Sequence, residues 1–379
     1  MPLRTKPDVG NAAELGSGAN VGLLGHPDLK RKSPFSDFGA PPKYARSVQS
    51  VHASSFDIEV FHEKLQYNQT RSSPMTPKEL LKDLGLVDDL DGSLIARMDA
   101  ALPGMRLKER LFELGHDTPQ AWMDFLSDHG YINARVLDIL RTSAIERIVF
   151  APSMFDENGL NLPESNVYSV FGKADSFSFL SELSFANVRI CDSDIQHIHH
   201  LPNLSALNLN GTGIGNEGVF LLVSLKRTLK KLSLATNPDI DNDAIPDVLL
   251  LSSLSFLSIL DTSIEMVGLR RLAEAMHTNH WIMDIEIPYA CEVYVDNINS
   301  QYLYSPVAPL ITNSHVCPQL SSAALKRNLE AHAVCNASIV PSGTRPEMVE
   351  RLSTILKIRT LDMLVISMLE GNEFVSGSK

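Results

Sequence analysis

His197-Ile198-His199-His200 is the densest run of potential metal ligands in this 379-residue sequence. Adjacent residues on a helix point in different directions, so only His197 and His200 could share a face. No third ligand is evident, and the run is expected to be a solvated surface. Asp239, Asp241 and Asp243 alternate like the opening of a calcium loop. Such a loop needs Gly and Glu where this chain has Ala244 and Leu250. These acids are therefore expected to cap the helix that follows. Gly16-Ser17-Gly18 with Gly22 echoes a phosphate-binding loop, but no strand precedes it. Cys191 lies beside the histidines, yet its place in a turn makes a packed thiol the expectation. No Gly-x-Ser-x-Gly elbow is present. The chain is not expected to be an enzyme, and neither a metal nor a cofactor is implied.

What positions these residues is a repeated hydrophobic spacing. Five segments begin at Leu180, Leu204, Leu229, Leu254 and Ile282, and each has apolar residues at offsets 0, 3 and 5. They are Leu180/Leu183/Phe185, Leu204/Leu207/Leu209, Leu229/Leu232/Leu234, Leu254/Leu257/Ile259 and Ile282/Ile285/Ile287. Ile190, Ile214 and Ile264 follow at offset 10, and Ile240 comes one residue late after an insertion. The periods are 24, 25, 25 and 28. A fixed period in this range signals units that bury their apolar sides only against each other. Ile145/Ile148/Phe150 repeats the offsets further upstream, as an irregular sixth unit.

Leu-Ser-Ala-Leu-Asn-Leu from Leu204 and Leu-Lys-Lys-Leu-Ser-Leu from Leu229 resemble leucine-rich repeats, in the ribonuclease-inhibitor-like or cysteine-containing subclasses. The resemblance implies an α/β fold: short parallel strands line a solenoid, with a helix in the second half of each unit. It also implies Asn, Cys or Thr at offset 8, bonding neighbouring loop backbone. Thr212, Asn237 and Thr262 fit; Val188 and Ala290 depart, as terminal units do.

Composition limits the partners. The net charge is −12, against a broadly nucleic-acid-binding surface. Residues 180–292 carry 7 Lys/Arg against 14 Asp/Glu, and residues 1–50 carry 7 against 4. An acidic repeat region favours a protein partner with a basic surface. The four cysteines show no close spacing, no apolar signal core opens the chain, and no stretch is long enough to span a membrane. A cytoplasmic or nuclear setting with free thiols is expected.

Residues 1–73 are rich in Gly, Pro and Ser and are expected to form a disordered tail. Its Lys30-Arg31-Lys32 and Ser33-Pro34 offer a minimal import patch beside a phosphorylation site. Residues 74–145 read as a helical N-terminal cap, with helices opening at Thr76-Pro77 and Thr118-Pro119 and a third around Ile132, Val136, Ile139 and Leu140. A helical segment ahead of such repeats also resembles ubiquitin-ligase substrate receptors, although Trp122 alone does not supply an F-box. Residues 146–292 are the repeat region and 293–319 a linker whose Tyr294, Tyr302 and Tyr304 pack on the last repeat. Residues 320–370 form a helical capping segment and 371–379 a tail. Within that segment Leu325, Leu329, Gly343, Thr344, Val349, Arg351 and Leu352 are similar to a SAP motif, a small DNA-associated helix–turn–helix. The resemblance implies phosphate contacts by Lys326, Arg327, Arg345 and Arg351.

The leading expectation is a non-catalytic interaction scaffold binding a protein partner. A DNA- or chromatin-associated regulator and a ubiquitin-ligase receptor are the alternatives. The partner would meet the variable strand positions Glu182, Ser184, Asn208, Lys231, Ser233, Phe256, Ser258, Asp284 and Glu286, with Phe256 as anchor.

Overall fold

The computed structural model describes residues 86–113, 118–155 and 167–370. The expected tails, the Lys30-Arg31-Lys32 patch and the Thr76-Pro77 helix start lie outside the described residues. Six three-residue strands form one open, all-parallel sheet in sequence order. They are β1 (Arg147–Val149), β2 (Glu182–Ser184), β3 (Ala206–Asn208), β4 (Lys231–Ser233), β5 (Phe256–Ser258) and β6 (Asp284–Glu286). The pairing aligns Ile148, Leu183, Leu207, Leu232, Leu257 and Ile285, the offset-3 residues, in one row. All six are buried. Burying one such side chain contributes about 1.5–3 kcal/mol. The upstream Ile145 unit thus supplies a strand like the others.

The fifth segment departs from the expected register of side chains. Ile282 is 55% exposed, whereas Leu180, Leu204, Leu229 and Leu254 are buried. Met283 is buried instead, and the Trp281 indole N–H donates to Leu254 O at 2.9 Å. A one-residue shift ahead of the strand thus moves the apolar contact to Met283, while the strand itself stays aligned.

Strands this short make few ladder bonds, and the chain continues the ladder beyond them. The N–H at offset 5 donates to the next unit's offset-4 carbonyl, as in Leu209 to Ser233 and Leu234 to Ser258, both 2.8 Å. At offset 7 Asn187, Gly211 and Thr236 donate to Asn210, Ala235 and Leu260 carbonyls at 2.7, 2.8 and 2.8 Å. Asn187, Gly211, Thr236 and Asp261 all have positive φ, between 53° and 63°. Only Gly211 adopts this without a Cβ penalty, and a β-branched residue such as Thr236 is strained there.

Side chains tie the units further. Ser181 and Ser205, at offset 1, donate to the preceding unit's Glu146 and Ser181 carbonyls, both at 3.1 Å. Asn237, fully buried at offset 8, donates to Leu209 and Leu234 carbonyls at 2.8 Å and accepts from Gly213 N at 2.8 Å. Thr212 and Thr262 hydroxyls donate to the carbonyls three residues back, each at 2.8 Å. The loop bonding implied for offset 8 is present at these three positions. Val188 is simply buried, and Ala290 lies inside a helix that starts directly after β6.

A second series of polar side chains caps helices. Asp192 accepts from Gly215 N at 2.9 Å, ahead of α5 (Asn216–Leu222). Asn216 accepts from Asp241 N at 3.1 Å, near the turn leading into α6 (Ile245–Leu250). Asn242 accepts from Glu265 N and Gly268 N at 3.0 and 2.9 Å, at the start of α7 (Met266–Asn279). Asn242 thus satisfies an N–H that the α7 N-terminus leaves open, while Asp192 and Asn216 hold the residues that lead into the next unit's helix. Met266 stands at the corresponding place in the following unit, where the series stops. The first repeat has only a 3-10 turn (Asp192–Ile198) where an α-helix was expected.

On the N-terminal side lie α1 (Leu86–Ala101), α2 (Leu107–Glu113), α3 (Pro119–Asp128) and α4 (Ala134–Leu140). Thr118 caps α3 through Ala121 N, with Pro at the first turn. Gln120 of α3 reaches the outer edge of β1. Its amide donates to Arg147 O at 3.0 Å and accepts from Glu146 N and Arg147 N at 2.8 and 3.1 Å. It occupies the place where a seventh strand would pair.

On the other side are α8 (Tyr289–Asp296), α9 (Ser322–Cys335) and α10 (Arg345–Glu370). The expected linker thus begins inside α8. The 26 residues of α10 span about 39 Å. Met348, Leu352 and Leu356 of its first half share an apolar cluster with Leu325 and Leu329 of α9. Val365, Met368 and Leu369 of its second half belong to the core of the sheet region, where α10 packs on α7.

Candidate functional site

Side chains alternate along a strand, so offsets 2 and 4 face away from the core row. The register lines up Arg147, Glu182, Ala206, Lys231, Phe256 and Asp284 as one row across the sheet. Arg147 and Lys231 are exposed, and the other four are half-buried. Five steps of about 4.8 Å make the row about 24 Å long. Arg147 at one end is ion-paired with Asp124 of α3 at 3.2 Å. Lys231 places a positive charge mid-row between Glu182 and Asp284.

The second row holds Val149, Ser184, Asn208, Ser233, Ser258 and Glu286. Here the sequence expectation needs correction. Ser184, Asn208, Ser233 and Ser258 are buried and cannot meet a partner. Asn208 accepts from Asn210 N at 3.0 Å, and the Ser233 hydroxyl donates to Asn210 Oδ1 at 2.7 Å. Ser184 accepts from Ala186 N at 3.4 Å. Ser184 and Asn208 serve the turns that follow their own strands, and Ser233 serves the turn after β3. Of the nine expected contact residues, Glu182, Lys231, Phe256, Asp284 and Glu286 keep accessible surface.

The basic residues of the C-terminal segment are also used differently than expected. Arg345 donates to Pro318 and Leu320 carbonyls at 2.5 and 3.2 Å. Arg351 donates to Val340 and Ser342 carbonyls at 2.6 and 3.1 Å. Both guanidinium groups are held by the protein's own backbone. Lys326 and Arg327 remain exposed, and Lys326 lies 3.8 Å from Glu330. No basic patch of four residues is assembled. The Thr344–Glu347 cap does form, with Thr344 N donating to Glu347 Oε2 at 2.8 Å.

Among the described residues, no group of three or more His, Cys, Asp and Glu is arranged to hold a metal ion. No described helix is long and apolar enough to cross a membrane. Asp241 caps the turn into α6 by accepting from Asp243 N at 2.9 Å. That bond and the one from Asn216 hold its carboxyl below the usual range. His200 is exposed and His199 half-buried; burial lowers the His199 pKa. Cys191 is exposed, not the packed thiol expected, because its turn lies at the surface ahead of the 3-10 segment.

A buried polar centre escaped the sequence reading. Asp362 of α10 is fully buried and pairs with Arg270 of α7 at 2.7 Å. Its second oxygen accepts from Arg270 at 3.3 Å, Tyr294 at 3.1 Å and Tyr302 at 2.6 Å. Arg270 also donates to the Tyr294 hydroxyl at 3.0 Å. Burial and then the Asp362 charge push the Tyr294 hydroxyl up to about 12 and raise Tyr302 as well. The two tyrosines therefore join the α7–α10 contact rather than merely covering the last repeat. The sequence signal is a lone Asp within the apolar run Leu361-Asp362-Met363-Leu364-Val365; its partners lie 60 to 92 residues away.

No protein-family profile matches the chain, and no curated protein matches it. Among solved structures it is similar to a chain in the crystal structure of the Rad7 and Elc1 complex in yeast. The identity is 16% and the TM-score 0.37, over 64% of this chain and 53% of that one. The chain thus spans about half the length of that match, and a likeness this low assigns no family.

Proposed function

We propose that the chain is a leucine-rich-repeat solenoid that serves as a non-catalytic scaffold, holding a protein partner across the outer row of its strands. The observation that carries this reading is the row Arg147, Glu182, Ala206, Lys231, Phe256 and Asp284, one residue per strand in one register. Offset 3 belongs to the core, and Ser184, Asn208 and Ser233 of offset 4 serve the turns. Offset 2 is what remains free to vary. The row mixes signs, so the partner needs an acidic group near Lys231 and basic groups near Glu182 and Asp284. Phe256, next to Lys231, is the apolar anchor.

A photo-crosslinking residue in place of Phe256 tests this in the native cell. A defined protein is expected to be captured there, and not from Phe220, exposed on α5. Phe256→Ala should then weaken binding of that protein by about tenfold or more. Equal affinity of the parent, Phe256→Ala and Lys231→Glu chains would overturn the assignment of this face.

A further inference from the structure

The segment between α8 and α9 is held to the helices largely through its backbone. Asn336 donates to Gln301 O at 3.0 Å, and His332 Nδ1 accepts from Leu303 N at 3.1 Å. Arg359 of α10 donates to Tyr304 O at 2.7 Å, and Asn328 accepts from Ile311 N at 2.9 Å. Asn328 and His332 are four apart on α9 and so share one face, and Asn336 is the residue at its C-cap. Tyr302 adds its hydroxyl bond to Asp362. Residues 301–311 thus form a strap with five anchors. Beyond the anchors it exposes Val307.

One anchor is unlike the others. A backbone N–H can only donate, so His332 Nδ1 must be unprotonated and the ring neutral. The ring is 1% exposed. From α10 it faces the charge of Arg359, itself buried. Asp362, one turn further along α10, is turned to Arg270, Tyr294 and Tyr302. One turn back on α9 the neighbour is the uncharged Asn328, and the uncharged Asn336 stands at the helix C-cap. From the strap, the neighbours are the Leu303 N–H and the Tyr304 carbonyl that Arg359 holds.

We propose that His332 is a proton-operated latch: protonating it releases strap residues 301–311 from α9. Protonated Nδ1 becomes a donor facing the Leu303 donor, and a second positive charge is buried beside Arg359. Leu303 N–H then loses its acceptor, and the shared Arg359–Tyr304 contact loosens with it. Burial first, and then the Arg359 charge, lower the His332 pKa below its ordinary 6.5. The sign follows. The released state binds the proton more readily, so the closed strap is fully stable above pH 6.5 and loses stability as pH falls below it. One proton can change the closed-to-open ratio by at most about tenfold per pH unit.

Amide hydrogen exchange of the full chain at pH 7.5 and 5.5, corrected for intrinsic rates, tests the latch. Strap peptides containing Leu303 should exchange up to about tenfold faster at the lower pH, while β3–β5 peptides do not change. His332→Gln keeps an acceptor and cannot protonate, so its strap protection should be independent of pH. Unchanged protection in the parent, or the same gain in His332→Gln, overturns the proposal. If the variant does not fold, the ring titration of the parent chain decides. Its midpoint must lie below 6.5 and coincide with the loss of the Leu303 amide, and any other midpoint overturns the latch.

Discussion

Asn237 and Asp362 are both fully buried, yet they are satisfied over very different distances along the chain. Asn237 is neutral and bonds backbone groups of its own unit and the one before, at most 28 residues away. Asp362 is charged and bonds side chains 60 to 92 residues away, on elements unrelated by any repeat. In the sheet region a small neutral group next to each loop satisfies the backbone at little desolvation cost. At the α7–α10 junction a charge is withdrawn from water, and only a matched cation and two hydroxyls make that tolerable. Local bonding lets units form in series. The long-range centre forms only when α7, α8, the strap and α10 have all arrived.

The comparison can be broken most sharply at Asp362. Asp362→Ala strands the Arg270 charge and should cost about 3–5 kcal/mol in urea unfolding. The joint change Arg270→Met with Asp362→Leu should recover most of that loss. A single-site loss below about 1 kcal/mol, the size of an exposed pair, would show that the junction is wet. Asn237→Ala comes next, at about 1–3 kcal/mol, because Leu209 and Leu234 carbonyls and Gly213 N lose a buried partner. Faster exchange at Gly213, across the unit boundary, should accompany it. The smallest effects lie at offset 7 and should have opposite signs. Gly211→Ala forces a Cβ into a φ of 63° and should cost about 1 kcal/mol, measured by thermal unfolding. Thr236→Gly relieves the same strain but adds chain entropy, and should gain about 0.5 kcal/mol.

The sequence made the local half of this contrast readable and left the distant half hidden. Leu183, Leu207, Leu232 and Leu257 could be aligned because each strand's contacts recur at a nearly constant interval. The helix at Thr118-Pro119 could be placed because its cap is contained in its own residues. Ile282 was misassigned because Trp281 and Met283 compete for the same contact, and only packing decides between them. Ser184, Asn208, Ser233 and Ser258 looked like surface residues because alternation gives direction, not depth. Within the site, Lys231 and Phe256 were legible as strand positions, but Arg147 was not included because its strand was read only as an irregular unit. Arg345 and Arg351 looked like phosphate ligands because charge is visible in a sequence, while the carbonyls that occupy it are not. Asp362 shows only as a lone Asp in an apolar run, and nothing local names its distant partners.

Gln120 has a consequence that reaches past its three hydrogen bonds to the β1 edge. Layers joined only to the next layer contain no instruction about how many there should be, much as a staircase does not dictate its number of steps. Termination has to be supplied from outside the pattern. A single amide from α3 does so at β1, and Met266, whose thioether is a far weaker acceptor than the Asn242 amide, breaks the capping series on the other side. Lengthening by whole layers is therefore open to this architecture wherever both stops are kept. Losing the amide would leave a growing end, on which another chain's strand could continue the sheet.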